Sequence, residues 1–244
     1  MMGVEKGAAA PLGRRAYIRS REGCFPMIDQ PGRVFLVTDS DQPVPGCTVS
    51  RSLADGAAGI VRFSLDAGTD ISAEAYPIPK LLVAEFGQME VALPGAALSV
   101  PAGSGCVVPA GAPAGVRAVQ PVVYLEIEIT DKEQSMDENI KPGEVFALSE
   151  LVPYQEGRIV NRDLVNTNAM KFVVMAFDAG TGLSPHAAPG DALVTALDGK
   201  GVIFYEGQEH PIEAGQSFRF AKGGMHAVKA VDERFKMSLL LTLE

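Results

Sequence analysis

The chain has three histidines, and imidazole is the side chain best suited to hold a transition metal or to exchange a proton near neutral pH. Two of them stand in glycine-punctuated clusters. Gly180 is followed after five residues by His186, Gly199 lies thirteen beyond that, and Gly215 precedes Gly223 and His226. A pair of imidazoles holds Zn, Fe, Mn, Ni or Cu only with help, because usable sites commonly present three or more protein ligands. Without a metal, such a pair hydrogen-bonds its neighbour, water or a small molecule. His210, just before Pro211 in the stretch after Tyr205, reads as a solvated turn residue. Cys24, Cys47 and Cys106 are odd in number and widely spaced, so they form neither a metal-binding pair nor a disulfide framework and read as small buried hydrophobes.

The elements that must position these residues are written twice. Asp-Ala-Gly-Thr occurs at 66–69 and again at 178–181, an offset of 178 − 66 = 112. Carried forward without a gap, that offset matches Ser72 with Ser184, Pro77 with Pro189, Leu81 with Leu193, Gly87 with Gly199, Gly103 with Gly215, Gly111 with Gly223 and Val116 with Val228. Upstream it drops to 111, where Pro31-Gly32 meets Pro142-Gly143, Val34-Phe35 meets Val145-Phe146, and Arg51 and Leu53 meet Arg162 and Leu164. A repeat this long exceeds the roughly 20–50 residues of solenoid units, so each copy should carry its own core. The reading is an N-terminal barrel over 16–130, a charged linker over 131–143 and a C-terminal barrel over 144–244. Residues 1–15, rich in Ala and Gly with Arg14-Arg15, read as a mobile arm.

Within each copy the apolar runs are short and separated by Gly and Pro, as in 171–177, 192–197, 201–205, 217–220 and 235–243. Runs at roughly 8–12 residue spacing are strands of a sandwich or barrel, and no helical periodicity competes with them. The fold class is all-β.

These spacings resemble the cupin superfamily, whose first motif is G-x5-H-x-H-x3,4-E-x6-G and whose second is G-x5-P-x-G-x2-H-x3-N. Gly180, His186, Gly199, Gly215, Gly223 and His226 fall on the pattern in the second copy, and Gly68, Gly87, Gly103, Pro109 and Gly111 in the first. The resemblance covers nearly the whole chain and implies a bicupin, two tandem jelly-roll barrels. The family's metal ligands are three His and one Glu. His186 and His226 occupy two of these positions, while Ala188 and Ala192 stand at the other two. Asp191 adjoins the Glu position and would serve as a ligand only if Pro189-Gly190 shifts the strand register, since neighbouring side chains on a strand point to opposite faces. In the first copy the equivalent positions are Glu74, Tyr76, Lys80 and Ala114, with no histidine. Glu74, Tyr76 and Lys80 share one strand face, which in the family is the barrel interior, and form a candidate ligand pocket. A buried carboxylate or ammonium is costly alone, so Glu74 and Lys80 should pair with each other or meet solvent. Lys222 and Met225 flank the rim beside His226.

What the resemblance implies is a small-molecule pocket in the C-terminal barrel able to take a divalent transition metal through His186 and His226, with the reaction open. The alternative is a metal-dependent enzyme of the dioxygenase, isomerase or decarboxylase type acting on a small polar metabolite. The family habit of pairing barrels implies a homodimer, and a two-barrel chain also satisfies that pairing within itself. Composition narrows the partners. Lys plus Arg is 21 against 30 Asp plus Glu, a net charge of −9, which disfavours nucleic acid and anionic membrane surfaces. No export signal or run of about 18 apolar residues is evident, so the reading is a cytoplasmic protein.

Overall fold

The computed structural model describes residues 30–54, 59–130 and 136–243. The arm over 1–15, Arg14-Arg15, Cys24 and the linker segment 131–135 lie outside the described residues. The first half contains β1 (Val34–Leu36), a single helical turn α1 (Val37–Ser40), β2 (Thr48–Ala54), β3 (Ile60–Leu65), β4 (Asp70–Ala75), β5 (Lys80–Phe86), β6 (Gln88–Leu93), β7 (Ala96–Pro101), β8 (Ser104–Val108), β9 (Pro113–Ala118) and β10 (Val122–Glu128). The second contains β11 (Val145–Ala147), β12 (Ile159–Asn166), β13 (Met170–Phe177), β14 (His186–Ala187), β15 (Ala192–Tyr205), β16 (Gln208–Glu213), β17 (Gln216–Phe220), β18 (Met225–Lys229) and β19 (Phe235–Thr242). The fold is all-β, two jelly-roll barrels side by side. No helix among the described residues is long and apolar enough to cross a membrane.

In the first barrel one sheet runs β11-β8-β5-β10-β3-β2 and faces a second, β4-β9-β6-β7. In the second barrel the sheet β1-β17-β15-β19-β13-β12 continues into the opposite wall, because the fourteen-residue β15 bends through both and also pairs β16 and β18. The offset read in the sequence recurs in the pairing. Glu74 lies opposite Ala114 as His186 lies opposite His226, and Lys80 opposite Val108 as Ala192 opposite Phe220.

Each barrel is completed by the other half's first strand. Val34 of β1 pairs with Phe218 of β17, and Val145 of β11 pairs with Cys106 of β8. These short strands therefore cap edges that would otherwise present unpaired backbone groups. Sequence division at 131–143 puts β11 with the C-terminal barrel, whereas the sheet places it on the N-terminal one. The segment after 135 is no free linker either: Met136 bridges to Val165, and Ile140 is buried among interface residues.

Strand alternation separates three cores. On β5 the even positions Leu82 and Ala84 face the first barrel's interior, with Met89, Val91, Cys106 and Tyr124. On β15 the even positions Ala192, Val194 and Ala196 face the second interior, with Phe177, Phe218, Phe220 and Phe235. The odd positions Leu81 and Val83 join Leu125, Phe172, Val174 and Leu240 in a third core between the barrels. The two cysteines described differ in access: Cys47 is exposed, while burial pushes the Cys106 thiol up to about 12. In a Cys24→Ser background a thiol reagent should label Cys47 in the native protein and Cys106 only after denaturation; equal labelling rates without denaturant would contradict this burial.

Candidate functional site

Antiparallel pairing of β14 with β18 sets His186 and His226 directly opposite one another, with ring centroids 4.2 Å apart at 54°. His186 is exposed at the barrel mouth, and its Nδ1 lies 2.8 Å from the Ser184 carbonyl oxygen. His226 is buried, with Nδ1 3.2 Å from the Gly224 carbonyl oxygen. A carbonyl only accepts, so each Nδ1 carries the proton and donates; in a neutral ring Nε2 then holds the lone pair. Such a backbone tether is the outer-shell arrangement that fixes the tautomer of metal-bound histidines.

The ring of His226 stacks on Phe220, centroids 4.1 Å apart at 27°, and Phe220 in turn touches Phe218 and Tyr205. Tyr205 is pressed against Gly224, where a Cβ would overlap its ring. Burial, followed by the neighbouring His186, lowers the His226 pKa below 6.5 against the opposing bond to Gly224, so its ring is neutral at physiological pH.

The other two family ligand positions are filled by Ala188 and Ala192, both buried. Asp191 stands immediately before β15. Its Oδ1 accepts from the Lys222 backbone N–H at 2.8 Å and its Oδ2 from Arg219 at 3.3 Å, toward the seam between the barrels. Pro189-Gly190 produces no register shift that turns it inward, and Gly190 is packed against the Thr242 carbonyl, where a Cβ would overlap. Among the described residues no group of three or more His, Cys, Asp or Glu is placed to hold a metal. Of the four family ligand positions, only His186 and His226 carry a side chain able to ligate an ion.

Lys222 is exposed, and Met225 is a large exposed hydrophobe at the rim whose backbone N–H donates to Glu206. His210 is not a turn residue. The turn falls at Glu206-Gly207, and His210 sits within β16 opposite Ile203, half-buried against Phe218 at 5.0 Å.

In the first barrel Glu74, Tyr76 and Lys80 do come together, but not as a direct Glu74–Lys80 pair. The Tyr76 hydroxyl donates to Glu74 at 2.5 Å, and the Lys80 ammonium lies 3.1 Å from the Tyr76 ring centroid. Lys80 is buried and binds Glu126 at 2.5 Å, with Glu128 at 3.8 Å. Sequence reasoning missed both glutamates. They lie on β10, forty-six and forty-eight positions on, and only strand pairing brings Glu126 opposite Leu82 and Glu128 opposite Lys80. Beneath them Tyr124 is fully buried, stacked on Phe63 at 5.1 Å, and its hydroxyl has no hydrogen-bond partner among the described residues.

A family model for the cupin domain matches residues 173–243, the segment that carries both histidines. No curated protein matches the chain. Among solved structures, a cupin 2 conserved barrel domain protein from Leptotrichia buccalis superposes with a TM-score of 0.74 at 27% identity, covering 87% of this chain and 97% of that one. Protein Ylba from E. coli superposes at 0.54 with 15% identity over 93% of this chain and 97% of that one. A variant of salicylate 1,2-dioxygenase from Pseudoaminobacter salicylatoxidans superposes at 0.54 with 11% identity, covering 75% and 70%; the last two likenesses concern the fold alone. Glycine-spaced motifs, barrel topology and domain match agree: residues 173–243 carry a cupin domain, and the fold of the chain is that of cupin barrel proteins.

Proposed function

We propose that the C-terminal barrel is a small-molecule pocket whose recognition element is the His186–His226 pair, able to take a divalent transition metal when the bound molecule or water supplies the remaining donors. The observation that carries this reading is the facing pair of imidazoles, each with its Nδ1 tied to a backbone carbonyl. The rings orient a polar group by accepting its protons, and the Phe220–Phe218–Tyr205 wall excludes water behind His226. A divalent ion held there supplies Lewis-acid polarisation of a ligand oxygen.

A second reading, a metal-dependent enzyme of the dioxygenase, isomerase or decarboxylase type, is favoured by the neutral state of His226, whose Nε2 lone pair is then free to ligate the ion. The proposal includes residence in the cytoplasm and a small polar ligand, with neither nucleic acid nor membrane as partner.

Elemental analysis of protein purified without a metal-affinity tag, together with Zn and Ni titration, tests it. Wild type should bind one ion per chain, and His186→Ala and His226→Ala should each weaken binding at least tenfold, in line with loss of one of two protein ligands. Unchanged metal content in both variants, or no binding by wild type, would overturn the assignment.

A further inference from the structure

The inter-barrel faces of the two main sheets are built from matched rows. Across β8, β5 and β10 the first barrel presents Gly105, Val83 and Leu125 side by side. The equivalent positions across β17, β15 and β19 are Ser217, Thr195 and Ser238. One row is apolar and its counterpart is a ladder of hydroxyls. Packing alone asks for the first composition at this depth, since a buried hydroxyl needs a partner that a methyl does not.

Between the rows lies a cavity of about 190 Å³, lined by Val83 and Leu125 from the first barrel and by Phe172, Leu240, Thr195 and Ser238 from the second. Thr195 Oγ1 is 3.1 Å from Ser217 Oγ, so those two hydroxyls share one hydrogen bond, and Ser238 lines the cavity beside them. Glu85 reaches the rim, its carboxylate held by Arg62 through bonds of 2.7 and 3.1 Å. That guanidinium neutralises the only charged side chain among the described residues that line the cavity, so the site selects against a charged occupant. An apolar cavity of about 150 Å³ already admits benzene.

We infer that this inter-barrel cavity is a second ligand site, taking a neutral molecule the size of a single substituted ring that bears one hydroxyl. The ring lies against Leu125, Phe172 and Leu240, and its hydroxyl meets Ser238 and Thr195. The site shares no residue with the His186–His226 pair, so it stands or falls independently of the function proposed for the C-terminal barrel.

The test is a titration of the full chain with phenol and with benzene, followed by amide chemical shifts in β15 and β19. Phenol should give saturable shifts centred on Thr195 and Ser238, retained in His226→Ala. Ser238→Ala keeps the cavity and removes a hydroxyl: phenol affinity should fall at least threefold, to that of benzene, whose own affinity stays unchanged. Ser238→Leu, which installs the residue type of the equivalent position, should abolish both. Absence of saturable shifts in wild type, or equal phenol affinity in Ser238→Ala and wild type, would overturn the inference.

Discussion

Arg62→Met is expected to destabilise the protein by about 3–5 kcal/mol, read from denaturant midpoints. Arg62 is 1% exposed, donates to Glu85 from Nε and NH2, and meets Asp41 at 3.0 Å from NH1. Asp41 also binds Arg51. Removing one cation from a buried chain of charges strands the carboxylates that it neutralised, which costs far more than the net worth of the pairs. The deficit should depend on pH in a defined direction. Burial by itself would raise the Asp41 carboxyl, but the Arg51 hydrogen bond and the charges of Arg62 and Arg51 outweigh it and hold it below the ordinary 3.8. In wild type this group therefore adds stability above that value, lost as pH falls through the lowered one. In Arg62→Met the balance tips toward burial, the carboxyls near residue 62 protonate more readily, and the deficit shrinks as pH approaches 4. A deficit that stays constant from pH 7 to 4 would mean that lost packing, not stranded charge, carries it.

Gly199→Ala should cost more than about 4 kcal/mol, at the extreme of single substitutions. Gly199 has φ +69, which by itself penalises a residue with a Cβ by about 1–2 kcal/mol. In addition a methyl there would overlap the carbonyl oxygen of Arg234, a backbone atom that cannot swing aside. Gly180→Ala is the control, because Gly180 has φ +78 and open space around its would-be Cβ. It should lose only the conformational part. Thermal melts of the two variants separate the contributions, and equal losses would show that the β15 bend can yield. The equivalent bend at Gly87 is closed in the same way, by the carbonyl of Pro121.

Both of those glycines were visible in the sequence because their spacing repeats, and with them the all-β architecture. The alternation rule also served well locally: with Ala192 inside, Asp191 belongs on the far face, where Arg219 and the Lys222 amide hold it. What strand periodicity cannot report is which strand lies next to which. Lys80 finds Glu126 only because β5 pairs β10, and Arg62 finds Glu85 and Asp41 from strands and a turn more than twenty positions away. His210 was misplaced for a smaller reason. Two residues, Glu206 and Gly207, suffice for the turn, Glu206 taking φ +48, so the chain is already extended when it reaches 210. The hydroxyl ladder was hidden because Ser and Thr on a strand look alike whether they face solvent or a seam.

The reciprocal loan of β1 and β11 governs how the molecule must come into being. During synthesis Val34 leaves the ribosome long before Phe218, its neighbour in the finished sheet, so the earliest strand waits for almost the last. Contacts of such long sequence separation form slowly. The second barrel cannot be sealed until β17 has been made, whereas the first can close once β11 emerges.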